Sequence, residues 1–278
     1  MKLVRLLALS LALGFGLCAS SVAADIAMPT RGISAHRGAG RTHPENTLPA
    51  FAEAIRLGVH QIEFDVYMTK DKQCVVLHDG SVKRTTNGEG LVSNMTLAEV
   101  KQLDAGSWKH ARFAGVKVPT LRETLAMMPV NIWLNVHTRG SVEVGTAVAR
   151  EIVRQGRQHQ AFLAVGRSAA AAARKVDPDI LICNMSRQGY DSRYVNETIE
   201  GGAQFIQLLN RVASPEDMAR LKKAGVRINY FGYDLRRPER LKGRFDAGVD
   251  FPLVDNVATI MKAAEALGIE RWKPVYRK

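Results

Sequence analysis

Two histidines and a pair of acids stand where this chain could move protons. His36 ends the run Ile33-Ser34-Ala35 and is followed by Arg37, while His78 ends a second apolar run, Cys74-Val75-Val76-Leu77. An imidazole titrates near neutrality, so two of them on opposite sides of a scissile bond can act as general base and general acid. Arg37 adds a cation whose fork fits phosphate or carboxylate oxygens. Glu63 and Asp65 alternate with Ile62, Phe64 and Val66, so on a strand both acids point to one side. Two carboxylates held that close repel unless a cation or a proton intervenes, and hard oxygen donors suit Mg²⁺, Ca²⁺ or Mn²⁺. The bland alternatives are strand-end histidines that only pack and an acidic pair that faces solvent from an edge strand.

The elements that must hold these residues alternate regularly. Strands are expected near 33–36, 61–67, 131–137, 161–165, 180–184, 204–208, 226–231 and 249–254. Between them lie helical stretches such as Leu48–Leu57, Val142–Arg154, Ser168–Lys175 and Pro215–Ala224, with Pro178, Gly202, Gly225 and Gly248 as punctuation. Eight β/α units in this length predict an α/β fold, a (β/α)8 TIM barrel, with an open doubly wound sheet as the competing arrangement. Residues 62–80 break the alternation, because Thr69-Lys70-Asp71-Lys72 is too short for a crossover helix. The second run must return antiparallel, and a turn centred on Asp71-Lys72 would set Asp65 opposite His78. Residues 81–120, with one short helix at Leu97–Leu103, read as a small insertion over one end of the barrel.

The chain opens with Lys2 and Arg5, an apolar run from Leu6 to about Ala19, and small residues at Ser21-Val22-Ala23-Ala24. That order predicts a signal peptide, residues 1–24, cleaved on export to the periplasm or medium, leaving 25–278 as one catalytic barrel domain. No later apolar segment is long enough to span a bilayer, so no stable membrane insertion is expected. Cys74 and Cys183 both fall in strand-like runs and read as free thiols. The formal charge of +12 comes from scattered Lys and Arg, which argues against a nucleic-acid groove and leaves a small phosphate-bearing partner. Oligomeric state is not legible.

The stretch "HRGAGRTHPENTLPAFAEAIRLGVHQIEFDVYMTKDKQCVVLHD", followed by "RTTNGEG" and "VPTLRETL", resembles the glycerophosphodiester phosphodiesterase family. The likeness is dense over 33–126 and persists afterwards only as a strand pattern. It implies a phosphodiesterase-type TIM barrel with its substrate at the C-terminal ends of the strands. By position it makes His36 and His78 the acid/base pair; of the two, we expect His78 to be the leaving-group acid. It makes Arg37 a phosphate contact, Glu63 and Asp65 metal ligands, and Glu45 a support for Arg37 or for a metal-bound water. Thr47 or Asn46 caps the helix at Leu48, with Thr47 the expected cap.

Later positions depart from the family pattern. Where the family carries a third metal-binding glutamate and a lysine, "WLNVHTRG" has His137 and Arg139. A ligating His137 would favour Mn²⁺ or Zn²⁺ over the Mg²⁺ or Ca²⁺ that the resemblance implies; otherwise it only lines the barrel. Arg139 keeps a cation for the phosphate. In "INYFGYD", Phe231 replaces the tryptophan that walls the alcohol pocket, with Tyr233 and Asp234 alongside, and Asp255 matches a terminal aspartate. The activity implied is metal-dependent release of sn-glycerol 3-phosphate and an alcohol from a small phosphodiester. The rivals are a lysophospholipase D-like or sugar-phosphodiester enzyme working through a cyclic phosphate, and a degenerate barrel that only binds.

Overall fold

The structure, a computed structural model, describes residues 26–277, so the expected signal segment lies outside the described residues. Nine strands form: β1 (Ser34–His36), β2 (Gln61–Met68), β3 (Cys74–Val76), β4 (Trp133–Thr138), β5 (Ala161–Val165), β6 (Leu181–Asn184), β7 (Phe205–Leu209), β8 (Arg227–Phe231) and β9 (Phe251–Val254). All but β3 run parallel, and pairing of β1 with both β2 and β9 closes an eight-stranded barrel. The helices that return the chain are α1 (Leu48–Arg56), α2 (Leu97–Gln102), α3 (Leu121–Met127), α4 (Val142–Arg154) and α5 (Arg167–Arg174). They continue as α6 (Ser192–Glu200), α7 (Pro215–Lys223), α8 (Leu241–Asp246) and α9 (Val257–Ala266). This is the TIM barrel.

Strand alternation divides the burial between two layers. Ile62, Phe64, Leu134, Val136 and Leu163 face outward onto the helices, where the Phe51 ring of α1 lies 5.7 Å from that of Phe64. Each such side chain contributes about 1.5–3 kcal/mol when fully buried. The opposite parity fills the barrel: Trp133, Phe162, Phe205 and Phe251 pack together, with the Phe162 and Phe205 rings stacked at 3.8 Å. The inside of the barrel is therefore packed rather than open, and chemistry is left to its upper rim.

One edge of β2 carries two partners in succession. β1 pairs only with Gln61–Glu63, leaving the upper half of that edge open, and β3 runs antiparallel along Val66–Met68. The Val66 carbonyl accepts from Arg139 N–H on the β4 side, whereas the Asp65 carbonyl accepts from Leu77 N–H on the other, both within 3.0 Å. β3 thus continues the edge that β1 vacates, and the chain ends of the two strands meet near Glu63 and Asp65. The turn differs from expectation by one residue. Thr69 N–H donates to Gln73 O and Lys72 N–H to Thr69 O, with Lys72 at φ 63°, a three-residue loop closed by a left-handed position. Asp65 consequently faces Leu77, and His78 follows one residue later, beyond the ladder.

Residues 81–120 fold over this side of the barrel around a small core of their own, in which Val82, Val92, Val100 and Val118 pack on Val75 and Leu77 of the hairpin. Capping boxes at Thr96/Glu99 and Thr120/Glu123 start α2 and α3. Cys74 is half-buried and Cys183 buried, and both are free. No helix among the described residues is long and apolar enough to cross a membrane.

Candidate active site

The catalytic, phosphate-binding and metal candidates of the sequence lie at the C-terminal end of the barrel or in the loops above it. His36 is the last residue of β1 and sits in register with Glu63, while Asp65 is in register with His137 of β4. Glu63 and Asp65 are buried, at 3% and 0% exposure, which excludes a solvent-facing pair. Ligand atoms of Glu63, Asp65 and His137 all fall within 4.8 Å of one another.

The turn after β1 is shaped to serve these acids. Arg37 takes a left-handed backbone (φ 56°) and Gly38 follows at φ 76°. A methyl group on Gly38 would lie 2.8 Å from the Ala50 backbone, so only glycine lets the turn rest on α1. In this conformation Arg37 N–H donates to Glu63 Oε2 at 3.0 Å, and the local strain, about 1–3 kcal/mol, is offset there. Asn46 is also left-handed (φ 57°), and its Nδ2 donates to Asp65 Oδ2 at 3.0 Å while its Oδ1 accepts from Asp65 N–H at 3.3 Å. Thr47 occupies the N-cap of α1 as expected, but it makes no side-chain capping bond. Its hydroxyl donates instead to Pro44 O at 2.6 Å, tightening the Pro44-Glu45-Asn46 turn.

Both arginines expected on phosphate are engaged with carboxylates. Arg37 Nη1 donates to Glu45 Oε1 at 2.8 Å and its Nε lies 3.5 Å from Asp65 Oδ2. Arg139 contacts Asp65 Oδ1 through Nε and Nη2, each at 2.9 Å. Glu45 is shared with Arg84, which donates to both its oxygens and also to Asp79. Burial would raise the Glu45 pKa, but Arg84 and Arg37 outweigh it and hold the group ionised.

The two histidines sit in different fields. His36 Nδ1 lies 2.7 Å from Asp255 Oδ1 and its ring is 4.8 Å from that of Phe231. Burial disfavours its cation, yet the Asp255 hydrogen bond and the charge of Glu63 prevail and raise its pKa. His78 Nδ1 lies 2.5 Å from Asp79 Oδ1. For His78 burial prevails over Asp65 and Asp79, and the pKa falls. Asp79 itself is pulled down to about 2, first by Arg84.

Would a cation fit? Burial and the neighbouring Asp65 push the Glu63 pKa up; burial would do the same to Asp65, but His137 and Arg139 hold it well below the usual carboxylate range. Glu63 Oε1 accepts no hydrogen bond among the described residues and stands 3.9 Å from His137 Nδ1. That is too long for a hydrogen bond, and it lies within the roughly 4 Å that two ligands each about 2 Å from one ion can span. Two carboxylates and an imidazole therefore suit a small divalent cation.

Two cavities open at this rim. One of about 350 Å³ is lined by His36, Arg37, Gly40, Arg41, Glu45, Lys109 and Asp255. A second, also about 350 Å³, is walled by Phe231, Tyr233, Leu235, Leu253 and Val254 and shares Arg41 and Asp255 with the first. Lys109 comes from the insertion and donates to Gly40 O at 2.6 Å.

Residues 36–228 match the glycerophosphoryl diester phosphodiesterase family. The chain belongs to that family. It is a phosphoric diester hydrolase. A glycerophosphodiester phosphodiesterase of Caldanaerobacter subterraneus is 30% identical over 236 residues, covering 82% of this chain and 96% of that protein. One from Bacillus subtilis is 44% identical over 99 residues, 33% of this chain and 34% of its own. Among solved structures, a glycerophosphodiester phosphodiesterase of Agrobacterium tumefaciens superposes with a TM-score of 0.68 at 25% identity, covering 84% of this chain and 99% of that one. An Oleispira antarctica phosphodiesterase, solved with its product sn-glycerol-3-phosphate, gives 0.70 at 24% identity, over 84% and 96% of the two chains.

Asn46, Asp79 and Arg84 were not assigned these duties from the sequence. Arg84 stands in "RTTNGEG" without a strand or helix period to mark it, and only its distance from Glu45 in space reveals it. Asn46 carried the one available signal, an asparagine between a glutamate and a helix start, and that signal pointed to capping.

Proposed function

We propose that this enzyme hydrolyses glycerophosphodiesters to sn-glycerol 3-phosphate and an alcohol, with His36 and His78 as its acid/base pair. The observation that carries the reading is the meeting of β1 and β3 on one edge of β2, which brings two imidazoles, each with Nδ1 engaged by a carboxylate, beside Glu63 and Asp65. The product bound in the Oleispira antarctica neighbour supports the same reaction.

Glu63, Asp65 and His137 would hold the divalent cation, and their mixed donor set favours Mn²⁺ or Zn²⁺. When bound, it supplies Lewis-acid stabilisation of charge on the phosphoryl oxygens. Arg37 and Lys109 line the polar cavity and supply positive charge beside the phosphate. His36 lies against Phe231 on the alcohol side, and its raised pKa keeps a proton available there. We therefore assign His36 as the acid that protonates the departing alkoxide, the reverse of the order expected from the sequence. His78, with its lowered pKa, is the base that takes a proton from the attacking hydroxyl. Asp255 and Asp79 engage Nδ1 of the two rings, which leaves Nε2 of each for proton transfer.

Phosphorus NMR of sn-glycero-3-phosphocholine with the protein and Mg²⁺, Ca²⁺, Mn²⁺ or Zn²⁺ in turn tests this. A glycerol 3-phosphate signal is expected, strongest with Mn²⁺ or Zn²⁺. A persistent cyclic phosphate would assign the chain to the transfer-type enzymes, and no turnover with retained binding would make it a binding barrel. We further propose that residues 1–24 are removed on export, which N-terminal sequencing of protein from a cell-envelope fraction tests.

A further inference from the structure

The alcohol side of the site carries more positive charge than its surroundings neutralise. After β8 the chain makes two 3-10 turns, Tyr233–Arg236 and Pro238–Arg240, before α8 begins. Arg236 and Arg240 end these turns and Arg237 links them; Arg41, from the loop after β1, lines the alcohol-side cavity together with Arg236. On the far side of Tyr233 lies another cavity of about 310 Å³, lined by Tyr233, Asp234, Arg237, Arg240 and Arg244.

The carboxylates that line these cavities are already engaged, and Glu239, exposed between Arg237 and Arg240, offsets only one of the charges. Asp255 holds His36, and Asp234 accepts from Arg244 Nε and from the Tyr230 hydroxyl, each at 2.7 Å. Arg41, Arg236, Arg237 and Arg240 make no ion pair and no side-chain hydrogen bond among the described residues; Arg150 and Arg211 are likewise unpaired but stand singly, while Arg56, Arg154 and Arg271 each hold a glutamate. Solvated surface charge is the ordinary fate of an exposed arginine. Four of them around two cavities that share a wall, one of which reaches Asp255 beside the reacting histidine, form a field that an anion would relieve.

From this geometry we infer that the rim formed by Arg41, Arg236, Arg237 and Arg240 is a second anion subsite, which takes a phosphate carried by the leaving alcohol. The inference rests on the proposed hydrolysis and adds its substrate class: diesters whose leaving group bears a further phosphate, in preference to those with a cationic head. Guanidinium forks fit phosphate oxygens in pairs. A quaternary ammonium would meet Arg41 and Arg236 as like charges, and the aromatic faces it could use are taken, Phe231 by His36 and Tyr233 by Arg236 at 5.0 Å.

Three substrates with leaving groups of charge +1, 0 and −1 test the subsite: sn-glycero-3-phosphocholine, sn-glycero-3-phosphoglycerol and 1,3-bis(sn-glycero-3-phospho)glycerol. At low salt kcat/KM should rise along that series, with about a tenfold advantage of the last over the first. Added salt should compress it. Arg236→Gln with Arg240→Gln should reduce the ratio to about threefold or less, chiefly through KM, and the lysine variants should restore part of it. Choline turnover equal to or better than that of the bis-phosphodiester overturns the proposal, as does a double variant that lowers all three rates alike. Dissociation constants measured with the full chain carrying His36→Ala and His78→Ala separate the two readings. Ranked affinities without any wild-type turnover keep the subsite and sink the reaction, while equal affinities sink the subsite. Sedimentation with phosphatidylglycerol vesicles that depends on Arg236 and Arg240, together with a flat ranking of soluble substrates, would give these arginines to a lipid surface and overturn the proposal.

Discussion

Asp255 Oδ1 stands 2.7 Å from Nδ1 of His36, across a gap of 219 residues that the closure of the barrel between β1 and β9 removes. The hydrogen bond fixes the ring and, with Glu63, raises its pKa against the effect of burial. His36→Ala should lower kcat by about 10²–10⁴-fold, the usual weight of a general acid. Asp255→Asn should cost less. It should also move the high-pH limb of kcat/KM, where the acid loses its proton, toward lower pH, while KM changes little. An unmoved limb would remove Asp255 from the positioning of His36.

His137 clusters with Glu63 and Asp65 and offers an imidazole as the third possible ligand. His137→Glu adds a hard oxygen donor beside Glu63 and Asp65 and should shift the metal that best supports hydrolysis toward Mg²⁺ or Ca²⁺. The check is a metal titration of both proteins followed by phosphorus NMR. An unchanged metal profile would exclude His137 as a ligand.

Asn46 couples a left-handed backbone to two hydrogen bonds on buried Asp65. Asn46→Ala loses both bonds and keeps a Cβ at positive φ, so it should destabilise the fold by about 1–3 kcal/mol from the unmet Asp65 N–H and more from strain. Asn46→Gly relieves the strain alone. The glycine variant should therefore unfold at a urea concentration between those of the alanine variant and the wild type.

His60 gives the fold an acid limit far from the chemistry. Its Nδ1 accepts from Ile33 N–H at 3.1 Å, so the neutral ring carries its proton on Nε2, which lies 3.0 Å from the Glu270 carbonyl. Protonation would set N–H against N–H, and burial lowers the pKa from 6.5 to about 4. The unfolded chain thus binds the proton first. Stability from this group is full above pH 6.5 and falls as pH drops toward 4, by about 3 kcal/mol at most. His60→Gln should flatten that slope in urea melts between pH 4 and 7.

Much of this architecture was legible because period and punctuation agreed. β5 and α4 fall on the residues that alternation and helical spacing predict, and the hairpin follows from a link too short for a helix. The off-by-one pairing of Asp65 was not legible, since it depends on Lys72 adopting a left-handed conformation that nothing in its residue type demands. Arg37 and Arg139 show the other limit. Sequence reports that two cations are near phosphate chemistry, but only folding reveals that Asp65 and Glu45 already engage them.

The division of one β2 edge between β1 and β3 makes the Thr69–Gln73 turn a ruler for His78. Because successive residues of an extended strand point to opposite faces, inserting one residue into β3 would swing the imidazole out of the site while leaving the barrel intact. Inserting two would restore its direction but carry it a full pleat away from Glu63. Length variation should therefore be purged from the eight residues before the histidine.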